Sequence, residues 1–195
     1  MSDNPPRGRQ CILEQARQMF FARGYHGVSV REIVQACGLS NAALYHHFGS
    51  KENLFIEVFK GHIALVIQQL RLAGEAATSC RQRLTQMTEA YAGIVLESQS
   101  ELQALRRDLM AFEPDERQRL LIDAQWQIPA LFETVLDEGI AAGEIGRLDA
   151  HRVSIVLTGM ILSLAVRRQI EPVSESLRDD VELIMNTLFE GIRNR

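Results

Sequence analysis

Apolar residues recur at intervals of three and four along almost the whole chain, and no stretch alternates strictly enough to suggest a sheet. The pattern predicts an all-α protein of about nine helices. The first runs from Arg7 to Arg23, with Ile12, Leu13, Ala16, Met19 and Phe20 facing inward, and stops at Gly24. Two short helices follow, one from Val30 to Cys37 and one opening after Ser40. A long helix then extends from Ser50 to about Gly74, with Phe55, Phe59, Val66 and Leu70 along one stripe. Gly61 lies inside it, where glycine costs about 1 kcal/mol relative to alanine, so either a bend or the close approach of a neighbouring helix is expected there. Further helices are expected from Arg81 to Glu97, Glu101 to Phe112, Pro114 to about Gly143 with an interruption near Pro129, Ala150 to Gln169, and Ser174 to Arg193.

The two short helices carry the functional signal. Ser29 can cap the first of them while Glu32 reaches back to its amide, and Gly38 supplies the left-handed backbone of a sharp helix end. Ser40 caps the second, in which Leu44 and Phe48 share a buried side. Two short helices joined across a glycine corner form a helix-turn-helix, whose second helix enters the major groove of DNA. At about 100° per residue, burial of Leu44 turns Asn41, Ala42, Tyr45 and His46 outward. Asparagine can pair with adenine, alanine can touch a thymine methyl, and tyrosine and histidine can donate to phosphates or base edges. Lys51 adds a charge at the start of the next helix, where unpaired amides already favour phosphate. His47 lies nearer the seam, where it can flank the apolar contact or reach a phosphate.

Residues 9 to 55, with G-Y-H-G-V-S-V-R-E-I at 24–33 and A-L-Y-H-H-F-G-S-K-E-N-L-F at 43–55, resemble the N-terminal domain of the TetR family of bacterial transcriptional regulators. The resemblance implies a helix-turn-helix DNA-binding domain over residues 1–52 and a helical ligand-binding and dimerisation domain over 53–195. It implies backbone contacts from Ser29, Arg31, Tyr45, His47 and Lys51, and base-edge contacts from Asn41, Ala42 and His46. Ser40 joins the same DNA-facing set. Such a protein binds a palindromic double-stranded operator as a homodimer and, in the family's usual mode, is a repressor released by a small-molecule inducer. The alternative is a constitutive DNA-binding adaptor acting through a protein partner. The long fourth helix is the candidate lever between the two parts.

In the C-terminal part, the two last helices carry more apolar surface than one face can hide. Val153, Leu157, Met160 and Leu164, with Val181, Met185, Leu188 and Ile192, are the expected dimer interface, and Gly159 and Ser163 would let another helix approach closely. Met87, Tyr91, Met110, Phe112, Trp126 and Phe132 are the candidate walls of a ligand pocket, being apolar with a few polar tips.

Charge sharpens this division. The whole chain carries a net −4, but residues 1–52 hold six Lys and Arg against four Asp and Glu, a local excess of positive charge on an acidic protein. That balance argues against a non-specific nucleic-acid coat. No arrangement of nucleophile and base suggests an enzyme, and no metal set or cofactor is implied. Cys11, Cys37 and Cys80 lack a C-x-x-C spacing, which suits a reducing compartment and gives no disulfide framework, while a thiol redox sensor stays open. The polar start of the chain is no secretory signal, and the uncharged run from Val153 to Val166 is short for a membrane span, so a cytoplasmic location without membrane association is expected.

Overall fold

The computed structural model describes residues 5–97, 108, 114–171 and 174–191. Among these it contains eight α-helices and no strand: α1 (Pro5–Arg23), α2 (Val30–Ala36), α3 (Asn41–Phe48), α4 (Lys51–Gly74), α5 (Cys80–Glu97), α6 (Pro114–Ala141), α7 (Ala150–Ile170) and α8 (Leu177–Gly191). The helix expected from Glu101 to Phe112 lies outside the described residues except for Asp108, which is helical. The chain forms two compact units, Met1–Ile63 with Gln99–Leu121, and Ala64–Ser98 with Ile122–Arg195.

In the first unit α1, α2 and α3 pack on one another. Ile12, Ala16 and Phe20 of α1 are fully buried with Ile33, Leu44, Leu54 and Phe55, and the Phe20 and Phe55 rings meet edge to face at 5.3 Å. The corner between α2 and α3 follows from its backbone. Gly38 has φ 65°, and the Leu39 amide donates back to the Val34 carbonyl at 2.8 Å, closing the helix end. A Cβ at Gly38 would meet nothing within 4 Å, so the glycine serves the left-handed turn rather than a tight space.

The expectation of unpaired thiols is corrected here. Cys11 on α1 and Cys37 at the end of α2 form a disulfide, with Cα atoms 5.9 Å apart. The 26-residue separation matches no recognised spacing motif, and only the packing of α1 on α2 brings the two positions together.

In the second unit α5, α7 and α8 pack on one another, around a core that includes Leu84, Met87, Phe132, Leu136, Leu157, Ile161 and Met185. The interruption expected at Pro129 does not occur: α6 runs through it as one helix. Proline removes one backbone donor, but Ile128, Leu131, Phe132, Val135 and Leu136 around it are all buried, and their packing holds the helix together. α7 is apolar enough over Ala150–Arg168, at mean hydropathy 1.3, to resemble a membrane span by composition. Leu157, Ile161 and Ala165 are nevertheless buried in the core, and Ser154 and Thr158 satisfy their hydroxyls on carbonyls of the helix's preceding turn. It is built as the core helix of a helical domain.

Two glycines in these helices have opposite surroundings. Gly61 in α4 is exposed and a Cβ there would meet nothing within 4 Å, so it does not serve the close approach of a neighbouring helix. At Gly139 in α6, a Cβ would lie 2.5 Å from the Cys80 sulfur and 2.8 Å from its Cβ. Accordingly, Gly61→Ala is expected to raise stability by about 1 kcal/mol through helix propensity. Gly139→Ala is expected to lower it by about 1–3 kcal/mol through overpacking. Urea unfolding followed by circular dichroism measures both, and a destabilised Gly61→Ala would show that α4 needs a flexible point there.

Candidate DNA-binding surface

The surface is organised by two caps. Ser29 precedes α2, its hydroxyl accepting from the Glu32 amide at 3.2 Å, while the Glu32 carboxylate accepts from the Ser29 amide at 2.8 Å and hydroxyl at 2.7 Å. Arg23 donates to the same carboxylate at 2.7 Å. These bonds, the Ser29 hydroxyl first, hold the Glu32 pKa down at about 2. At α3 the Ser40 hydroxyl accepts from the Ala43 amide at 3.4 Å.

With its start fixed, α3 buries Leu44 and Phe48 and presents Asn41, Ala42, Tyr45 and His46 to solvent. Tyr45 is 51% exposed, unusual for a side chain that could pack. Ser29, Arg31 and Ser40 are exposed as well. His47 is half-buried, its ring against those of His46 and Phe48, so it flanks the seam.

Lys51 sits differently from the rest. Its ammonium donates to the Tyr25 carbonyl and lies 3.9 Å from the centre of the Tyr25 ring. Burial lowers its pKa, while Glu52, Asp108 and Glu32 act in the opposite sense. An ammonium carries three donors, so this bond anchors Lys51 at the start of α4 without exhausting its capacity for phosphate. The Tyr25 hydroxyl donates to Glu52 at 2.7 Å and is itself held protonated to high pH, chiefly by burial and then by that carboxylate. The Tyr25 amide donates to the carboxylate of Asp108. Sequence reasoning missed the Tyr25–Asp108 contact, because 83 residues separate the two positions and no spacing links them.

The candidate residues of the second unit fall into different settings. Met87, Tyr91 and Phe132 are buried in its core, with the Tyr91 and Phe132 rings 6.4 Å apart. Trp126 is exposed and stacks on His151 at 5.5 Å, and His151 Nδ1 lies 3.0 Å from Glu133. Met110 and Phe112 lie outside the described residues. A groove of about 610 Å³ runs along α5 and α8, with Arg81, Gln86, Glu89, Arg178 and Glu182 among its walls.

Of the residues expected to meet a second chain, Leu157, Val181, Met185 and Leu188 are buried in this chain's own core, Val153, Met160 and Leu164 are partly buried, and Ile192 lies outside the described residues. Outward on α7 stand Val156, Gly159, Ser163, Val166 and Ile170, spaced three and four apart. Periodicity alone does not separate the inner face from the outer on a helix apolar all round. Among the described residues no group of three or more His, Cys, Asp or Glu could hold a metal ion.

A helix-turn-helix whose second helix is fixed by a cap and turns a polar face to solvent defines a DNA-binding regulator. The family model of bacterial regulatory proteins, tetR family, matches residues 12–58, and that of the Tetracyclin repressor-like C-terminal domain matches residues 77–166, together more than half of the chain. This protein belongs to the TetR family of transcriptional regulators. It is similar to the transcriptional activator FasR of Mycolicibacterium smegmatis, 27% identical over 154 residues that make up 78% of this chain and 67% of FasR. It is also similar to the transcriptional repressor AcnR of Corynebacterium glutamicum, 52% identical over 54 residues, 28% of this chain and 29% of AcnR. The fold is shared with the Bacillus subtilis regulator FadR solved in complex with stearoyl-CoA, with TM-score 0.73 at 18% identity over 94% of this chain and 99% of that one.

The Glu32 bonds have a pH signature. A carboxylate whose folded pKa lies below its ordinary 4.5 stabilises the fold above that value and loses the contribution as pH falls toward about 2. Wild type is therefore expected to melt higher than Glu32→Gln at neutral pH, with the gap closing as pH falls from about 5 towards 2. A gap that stays constant across that range would show that the charge of Glu32 does not hold the cap.

Proposed function

We propose that this regulator is a homodimeric, ligand-responsive repressor that reads a palindromic operator through α3. The observation that carries the proposal is the outward face of Asn41, Ala42, Tyr45 and His46, a set of base-pairing, methyl-contacting and phosphate-donating groups on the second helix of a helix-turn-helix. Asn41, Ala42 and His46 read base edges. Ser29, Arg31, Ser40, Tyr45, His47 and Lys51 contact the backbone and set the register.

Two copies are needed for such reading, since recognition helices must enter successive major grooves about 34 Å apart. The outward stripe of Val156, Gly159, Ser163, Val166 and Ile170 supports α7 as the surface of association, because its apolar members are exposed and its small ones admit a close helix. AcnR is named a repressor, which supports repression, and FadR was solved with stearoyl-CoA, which supports release by a small molecule over the constitutive adaptor. A ligand switches such a dimer only by preferring the conformation with the wrong spacing between recognition helices.

Selection of duplexes from a random library by the purified protein at physiological salt is expected to enrich a palindrome, since salt suppresses non-specific binding. Asn41→Ala is then expected to relax preference at particular base pairs by about 1–3 kcal/mol, whereas Tyr45→Phe weakens binding to all sequences alike. Identical effects of both changes would remove the assignment of α3 as reader. Val156→Glu, which places a charge on the outward stripe, is expected to convert dimer to monomer in light scattering while leaving the helical signal intact. A dimer unaffected by it would move the association surface elsewhere.

A further inference from the structure

The three cysteines of the chain occupy unlike environments. Cys80 is buried, its sulfur 3.6 Å from the Val135 carbonyl, and burial raises its pKa to about 11, so it stays protonated and inert. Cys11 and Cys37 are each partly open to solvent. Their Cα atoms stand 5.9 Å apart, inside the separation that a disulfide spans without backbone movement.

Their place in the fold gives the bond a consequence. Cys37 caps the end of α2, its amide donating to the Val34 carbonyl, and it immediately precedes the left-handed Gly38. The same Val34 carbonyl accepts from Leu39, the residue before the Ser40 cap of α3. A covalent link from α1 to Cys37 therefore fixes the corner from which the recognition helix departs. The link closes a loop of 26 residues in sequence, which restricts the unfolded chain as well as the folded one.

We propose that Cys11 and Cys37 are a reversible dithiol–disulfide couple, oxidised by low-molecular-weight disulfides, that staples α1 to the helix-turn-helix corner and sets how firmly the recognition helix is held. One cysteine, as thiolate, attacks a sulfur of the small disulfide, forming a mixed disulfide and releasing one small thiol. The second attacks the protein sulfur of that mixed bond, closing Cys11–Cys37 and releasing the other small thiol. The protein loses two electrons and two protons, and the small disulfide gains both. A reducing thiol pool runs the same steps backwards. The consequence for DNA reading rests on the proposed role of α3, whereas the pairing itself does not.

The test equilibrates the full chain in glutathione buffers from fully reduced to fully oxidised, followed by alkylation and mass spectrometry. Alkylatable thiols are expected to fall from three to one, with Cys80 the one remaining, and a peptide map should show Cys11 joined to Cys37. The melting temperature of the oxidised protein should rise by at least about 5 °C, a change that Cys80→Ser preserves and that both Cys11→Ser and Cys37→Ser abolish. Separate glutathione adducts on Cys11 and Cys37, or three thiols persisting in oxidised buffer, would overturn the couple without reliance on any variant. Affinity for a selected duplex should also differ between the two forms. Pairing that occurs while the library yields no enriched duplex supports the staple and counts against the DNA reading alone.

Discussion

Burying Leu44 and Phe48 is the constraint on which the rest depends. Both side chains leave the same side of an eight-residue helix, and hiding them leaves that helix no freedom to rotate about its axis. Asn41, Ala42, Tyr45 and His46 are outward because of that burial. Gly38 and Ser40 set where the helix begins, and the seam sets which way it faces. The direction in which this polar face points is thereby a by-product of ordinary core packing in a short bundle.

Electrostatics adds less than the local excess of basic residues suggests. Arg9, Arg17 and Arg23 are paired with Glu57, Glu14 and Glu32, and Lys51 leans on Tyr25. Partly exposed pairs of this kind contribute little to stability, but they anchor side chains around the three helices. Such a surface suits a reader of one site on an otherwise acidic protein better than a coat that binds any duplex.

Much of this was legible in the sequence because it is local. The Ser29–Glu32 box, the Gly38 corner, the Ser40 cap and the end of α4 at Gly74 each rest on residues within a turn or two of one another. The Cys11–Cys37 bond, the inward reach of Lys51 and the Tyr25–Asp108 contact depend on where helices distant in sequence come to lie, and no spacing rule encodes that. Pro129 misled for a related reason: the local cost was read correctly, but the buried residues around it outweigh one missing donor. On α7 and α8, period alone could not tell the face that meets the core from the face that meets solvent, and Leu157, Val181, Met185 and Leu188 are buried in this chain's own core.

Amide hydrogen exchange of the full chain, with and without a bound duplex, tests most directly whether the face opposite Leu44 and Phe48 reads DNA. Protection gained in peptides spanning residues 29–31 and 40–51, with the buried seam unchanged, is the predicted result. Protection confined to other segments, with 40–51 exchanging as in the free protein, would contradict it.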